Sequence, residues 1–259
     1  MTTRKAMLID ITMCAGCNSC QDACKKENNL AGGAETGLSP TAYTALEDHN
    51  GVSVRRMCQH CVAPTCASVC PVGAFTKTEE GPVIYDETKC IGCRYCMQAC
   101  PFQVPRYEWS SNNPRVQKCR FCYDRIKNGR QPACAEACPT GATKFGSRDE
   151  MLREAFGRIQ AEPGKYVNRI YGQSEVGGTS ILYITSVPFE KLGFKTQLRR
   201  EALPELTMNA LSKIPTVVTV GGAFLAGVYW ITNRREEVRR AEGTKNGRAR
   251  NAGPRKFNS

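Results

Sequence analysis

The chain is 259 residues long, with 36 Lys or Arg against 24 Asp or Glu and a formal charge of +12. Its 41% apolar content includes sixteen cysteines, so aliphatic packing alone is thin for this length and bound inorganic centres are expected to help hold the fold. The basic excess is no nucleic-acid signature: Asn233 to Ser259 alone holds nine Lys or Arg against three Glu, and metal-bound thiolates would offset much of the remainder.

The N-terminal stretch from Met1 to Asp10 has no apolar run fit for a signal peptide and no twin arginine, so no export address is expected in it. Leu8-Ile9-Asp10 reads as a short strand four residues before Cys14. The first cysteine group is Cys14, Cys17, Cys20 and Cys24, spaced C-x2-C-x2-C-x3-C. Cys58, Cys61, Cys66 and Cys70 follow, with four residues before the third cysteine. A strand at Ile84-Tyr85-Asp86 then leads into Cys90, Cys93, Cys96 and Cys100, which repeat the first spacing. The last group is Cys119, Cys122, Cys134 and Cys138, with eleven residues before its third cysteine. Cys70-Pro-Val-Gly-Ala74 and Cys138-Pro-Thr-Gly-Ala142 repeat one another as well. Strand, cysteine loop, helical turn and Pro-Gly turn thus recur, as in bacterial dicluster ferredoxins.

Three thiolates on a C-x2-C-x2-C loop can take three corners of an iron–sulfur cube, and the C-x3-C step carries the fourth cysteine away toward a neighbouring cluster. Four such groups predict four [4Fe-4S] clusters, worth roughly −8 in charge. Zinc uses paired C-x2-C motifs and leaves half of these cysteines unexplained. A zinc-binding nucleic-acid protein is therefore the rival of another class, and a disulfide framework fits the spacing poorly. Lys25, Lys26, Arg94, Lys118, Arg120 and Arg125 flank the cysteine loops, where they either tune potentials or are simply solvated. The two histidines are His49 and His60, and no P-loop or G-x-G-x-x-G is present. His60, within Cys58-Gln-His-Cys61, could donate to a cluster sulfur, although loop packing is the favoured reading. No catalytic residue is identified; the expected role is electron transfer.

Downstream, Ser147 with Glu150 reads as a capping box opening a helix with Met151, Leu152, Ala155, Phe156 and Ile159 on one face, stopped by Pro163-Gly164. Ser180 to Thr185 reads as a buried strand. Ile214 to Thr232 is nineteen residues without a charge, about 28 Å as a helix, or one bilayer core. Pro215 suits a first helical turn, Tyr229 and Trp230 an interfacial belt, and Gly222, Ala223, Ala226 and Gly227 a close helix contact. The basic tail places the C-terminus in the cytoplasm and the cysteine-rich part in the periplasm. Export bound to a partner that carries a Tat signal reconciles that orientation with the N-terminus.

The four groups, together with Cys58-Gln-His-Cys-Val-Ala-Pro-Thr-Cys66, Ile91-Gly-Cys-Arg-Tyr-Cys96, Cys100-Pro-Phe-Gln-Val-Pro105, Gly177-Gly-Thr-Ser180 and the single span, resemble the four-cluster iron–sulfur subunits of molybdopterin oxidoreductases and certain hydrogenases. Two types are most similar: the beta subunit of membrane-bound respiratory formate dehydrogenase, and the iron–sulfur subunit of hydrogenase-2-type uptake [NiFe] hydrogenases. The eleven-residue gap and the N-terminus favour the first; Cys93-Arg-Tyr-Cys96 and Val187 to Leu192 also look like the second. The resemblance implies four ligand sets: Cys14, Cys17, Cys20 and Cys138; Cys24, Cys119, Cys122 and Cys134; Cys58, Cys61, Cys66 and Cys100; Cys70, Cys90, Cys93 and Cys96. It further implies a non-catalytic subunit of anaerobic respiration that carries electrons from a catalytic subunit to an integral membrane cytochrome b or other quinone-reducing subunit.

The expected class is α+β: two dicluster-ferredoxin-like modules, mostly loops around clusters, plus one C-terminal transmembrane helix. The expected divisions are 1–145 for the clusters, 146–212 for a helix–strand extension and subunit contact, 213–233 for a single-pass anchor in the cytoplasmic membrane, and 234–259 for a basic tail. Membrane lipid is an expected partner and nucleic acid is not.

Overall fold

The computed structural model describes residues 4–250, the last seven of them by backbone only, so residues 251–259 of the expected tail lie outside the described residues. The chain divides into two units, Met1–Leu206 and Thr207–Ser259. In chain order the first unit runs β1 (Lys5–Asp10), α1 (Ser19–Glu27), β2 (Thr44–His49), β3 (Val52–Met57), α2 (Thr65–Ser68), β4 (Phe75–Lys77), β5 (Val83–Tyr85), α3 (Tyr95–Ala99), β6 (Arg106–Tyr107), β7 (Val116–Gln117), α4 (Tyr123–Lys127), α5 (Ala133–Glu136), β8 (Thr143–Ser147), α6 (Arg148–Ala161) and β9 (Ile181–Ile184). Two further helices follow, α7 (Leu203–Leu211) and α8 (Ile214–Arg250).

The architecture is α+β with short elements and long loops, as expected. Its largest sheet has the order β8-β1-β9. β8 runs antiparallel to β1, pairing Met7 with Phe145, and β9 runs parallel to it, pairing Leu8 with Leu182. Strand alternation then sorts the side chains. Ala6, Leu8, Leu182 and Ile184 face α6, while Met7, Ile9, Ile181 and Tyr183 face a core that includes Cys24, Cys58, Cys119 and Cys134. Three two-stranded ladders, β2–β3, β4–β5 and β6–β7, complete the strands.

The expected capping box is formed. Ser147 Oγ accepts from the Glu150 amide at 3.2 Å, and Glu150 Oε2 accepts from the Ser147 amide at 2.9 Å. Met151, Ala155 and Ile159 are buried, one turn apart along a narrow stripe. Phe156, expected on that face, is instead 43% exposed, because one residue past Ala155 turns the side chain about 100° away from the sheet. The expected strand over 180–185 is β9, buried throughout.

β2 and β3 form a hairpin closed by Asn50 and Gly51, both at positive φ (55° and 82°). Such a two-residue turn matches the twist of the strands it joins.

α8 contains a stretch long and apolar enough to cross a membrane. Thr219 and Thr232 donate their hydroxyls back to Pro215 O and Val228 O at 2.9 Å, which satisfies these polar groups inside the helix. The basic segment after the span, read from composition only, continues the same helix to Arg250. Arg, Glu and Ala propagate helix readily, and Arg240–Glu236 and Arg234–Glu237 supply pairs at helical spacing.

Candidate metal centre

Each cysteine loop is shaped by a few backbone devices that occur twice. Asp10 Oδ1 accepts from the Thr12 amide at 3.0 Å and from its hydroxyl at 2.6 Å, turning the chain after β1 toward Cys14. Asp86 does the same for Thr88 after β5, ahead of Cys90, at 3.0 and 2.6 Å. Gly16 and Gly92, in the C-x-G-C steps, take φ of 67° and 70°, which a Cβ resists. A Cβ on Gly16 would stand 2.6 Å from Ser53 Oγ. In the second and fourth groups the residue before the second cysteine, His60 or Phe121, also has positive φ (45° and 58°). These two rings stack on each other, with centroids 4.8 Å apart and planes at 19°.

All sixteen cysteines are free of disulfides. Cys14, Cys17, Cys20 and Cys138 line one cavity, together with Ile9, Leu46 and Arg55. Cys24 and Cys119 both lie in the field of Cys122 and Cys134. Cys61 lies in the field of Cys58, Cys100 and Cys66, and Cys96 in that of Cys90, Cys93 and Cys70. Burial first, and then the negative charge of sulfur neighbours, pushes the thiols of Cys24, Cys66 and Cys96 up to about 12. Cys122 is raised to about 11, again chiefly by burial. Cysteines of different sets also sense one another: Cys20 with Cys134, Cys119 with Cys58, and Cys66 with Cys96.

The donor chemistry fits iron–sulfur cubes. It is all thiolate, the preference of such clusters, and Cys14, Cys17, Cys20 and Cys138 line one cavity. A mononuclear zinc site needs its ligands closed around one ion, whereas a cube spreads them over its corners. Donors to sulfur are already in place: the Ala74 amide reaches Cys70 Sγ at 3.2 Å and the Phe121 amide reaches Cys119 Sγ at 3.3 Å.

The basic residues flanking the loops divide by environment. Lys118 is buried, donates to Val83 O at 2.5 Å and Cys119 O at 3.0 Å, and draws the Cys66 thiol down against its burial. Lys25 is tied to Glu35 at 2.8 Å, and Arg125 pairs with Glu27 at 2.9 Å and with Glu136. Arg94 lies over the rings of Tyr107 and Trp109 at the surface, and Lys26 is exposed. His60 is fully buried and held neutral by burial and by Lys118 and Lys77. Its Nδ1 accepts from the Val83 amide at 2.9 Å, while Nε2 has no partner among the described residues. Loop packing thus accounts for one side of the ring only. Arg55 belongs to no cysteine motif, so spacing does not single it out; the Asn50-Gly51 hairpin signal is the one feature of the sequence that places it on a paired strand.

Residues 50–148 match the model of a 4Fe-4S dicluster domain. The chain is 36% identical to the hydrogenase-2 operon protein HybA of Escherichia coli O157:H7, over 72% of this chain and 71% of the relative. It is 35% identical to the iron-sulfur subunit of the nitrate-inducible formate dehydrogenase of Escherichia coli strain K12, over 69% and 67%. It is 39% identical to one component of the anaerobic dimethyl sulfoxide reductase of Shigella flexneri, over 62% and 82%. Cysteine spacing, fold and these likenesses agree: the chain belongs to the family of iron–sulfur electron-transfer subunits built on the 4Fe-4S dicluster domain.

Proposed function

We propose that this chain relays electrons through four [4Fe-4S] clusters, between a catalytic subunit of an oxidoreductase complex and a quinone-reducing membrane subunit such as a cytochrome b. The ligand sets are Cys14, Cys17, Cys20 and Cys138; Cys24, Cys119, Cys122 and Cys134; Cys58, Cys61, Cys66 and Cys100; Cys70, Cys90, Cys93 and Cys96. The observation that carries this reading is the cavity shared by Cys14, Cys17, Cys20 and Cys138, supported by the mutual electrostatic influence of cysteines within the other sets and, between sets, of Cys20 and Cys134, Cys119 and Cys58, and Cys66 and Cys96. Bound there, a cluster would take up and release one electron at a time. The chain's own residues hold the sulfurs, donate amides to them and keep water from the middle of the series, where Cys24, Cys58, Cys119 and Cys134 are buried.

Residues 1–145 carry the clusters, 146–212 form the extension and partner contact, 213–233 anchor the chain in the cytoplasmic membrane, and 234–259 lie on its cytoplasmic side. The nine Lys or Arg after the span favour that orientation, with the cysteine-rich unit in the periplasm. In this reading the chain is non-catalytic and the substrate belongs to its partner. A molybdopterin formate dehydrogenase is the preferred partner, for the eleven-residue step between Cys122 and Cys134. The large and small subunits of a [NiFe] hydrogenase are the second reading, favoured by Cys93-Arg-Tyr-Cys96 and by the likeness to HybA.

Elemental analysis of the complex, purified in detergent through a tag on this chain, separates the two. At least sixteen irons per chain, with molybdenum or tungsten, are expected; nickel without molybdenum or tungsten would assign the chain to a hydrogenase. Fewer than sixteen irons in fully active complex would refute four cubes. Degradation of the cysteine-rich unit in inverted vesicles, with protection in spheroplasts, would refute the orientation.

A further inference from the structure

Arg55 lies on β3, where the hairpin alternation turns it inward and leaves it 2% exposed. Nε donates to Thr44 Oγ1 at 2.9 Å, and Nη1 to Thr143 Oγ1 at 3.1 Å, with Met7 Sδ at 3.8 Å. Among the described residues Nη2 is buried without a hydrogen-bond partner and no carboxylate pairs with this guanidinium. The other strongly buried cations of this unit are compensated: Lys25 has Glu35, Arg125 has two glutamates, and Lys118 has two carbonyls.

An unpaired buried charge is among the costliest features a fold can carry. Its setting shows where compensation is available. Arg55 lines the cavity of Cys14, Cys17, Cys20 and Cys138, and it also lies under the electrostatic influence of Cys134, of the neighbouring set. The largest negative influences on it are the sulfurs of Cys134 and Cys20, ahead of the Tyr183 hydroxyl.

We infer that Arg55 is a positioning residue that bridges the first two clusters of the series, its guanidinium donating toward the Cys134 thiolate and toward sulfur in the Cys14 cavity, and raises the reduction potentials of both. The inference rests on the ligand sets proposed above. Arg55 keeps its proton in both redox states, so each electron that arrives from the reductant adds a negative charge beside a fixed cation. The reduced form gains more than the oxidised form, and reduction becomes easier.

The test compares wild-type complex with R55Q and R55K by anaerobic potentiometric titration monitored by electron paramagnetic resonance, with iron counted in every sample. At least sixteen irons per chain in the wild-type complex uphold the four-cluster reading on which the inference rests, independently of the outcome at Arg55. In fully loaded R55Q, two of the four centres are expected to become about tenfold harder to reduce at a fixed potential, which is about 59 mV for one electron, while the other two stay put. R55K keeps the charge and is expected to shift these two centres by no more than about twofold, an asymmetry that loss of packing alone would not produce. Unshifted centres in fully loaded R55Q, or an equal fall of all four, would overturn the inference. If R55Q does not load iron, wild type and R55K labelled with guanidino-15N arginine decide by electron–nuclear coupling. Loss of a 15N coupling in R55K upholds the contact, and an unchanged spectrum overturns it.

Discussion

Replacing Asp10 by Ala is expected to loosen the first cysteine loop, and the structure sets the size of the effect. The Asp10 carboxylate is fully buried and accepts from Arg158 Nη1 at 2.8 Å, Tyr166 Oη at 2.9 Å, and the Thr12 amide and hydroxyl. It therefore ties α6 and the following loop to the turn that leads into Cys14. Its removal strands a buried tyrosine hydroxyl, about 1–3 kcal/mol, and undoes a turn cap worth about 1 kcal/mol. Arg158 keeps Glu154 at 2.8 and 3.0 Å, so its charge is not orphaned, which holds the total to about 2–4 kcal/mol. For a unit of this size that lowers the melting midpoint by about 4–16 °C. Asp86 makes the same turn at the surface without a buried partner, so D86A is the internal control. Because cluster loss makes unfolding irreversible, the two variants are compared by bleaching of the visible cluster absorbance at one scan rate under anaerobic conditions. The reasoning is refuted if D10A bleaches no earlier than D86A.

Two further outcomes follow from the loops. Burial lifts the thiols of Cys24, Cys66 and Cys96 from an ordinary 9 to about 12, so protons compete with iron for these sulfurs throughout the neutral range. Iron extraction by a chelator should therefore accelerate as pH falls from 8 to 6, and a rate independent of pH would contradict this. For the metal-free fold the sign is opposite: thiols with raised folded pKa stabilise it below pH 9, and that contribution is lost as pH rises toward 12. G16A should lose about four irons per chain, because the new Cβ meets both an unfavourable φ of 67° and Ser53 Oγ at 2.6 Å. Adding S53A removes the clash but not the strain, so iron should recover in part. Equal iron in G16A and wild type would show that the close approach is relaxed at no cost.

Much of this protein is local and therefore legible in the sequence. Cysteine spacing selects iron–sulfur chemistry because three thiolates within seven residues can reach one cube without help from distant chain. The Ser147–Glu150 capping box and the apolar run from Ile214 need only their own neighbours, and the strand read over 180–185 formed over 181–184. What the sequence left open is long-range. Cys138 reaches the Cys14 cavity because β8 pairs antiparallel with β1. Residues 181–184 reach the same sheet through parallel pairing, a partnership that composition does not encode. Phe156 is apolar, yet it lies about 100° round α6 from the buried Ala155 and stays exposed. Arg55 is read as a surface charge by any local rule, because burial of a cation is disfavoured unless something compensates it. Only the convergence of β1, β2, β3 and β8 places it between two groups of cysteines, where sulfur supplies the negative charge that its own strand lacks.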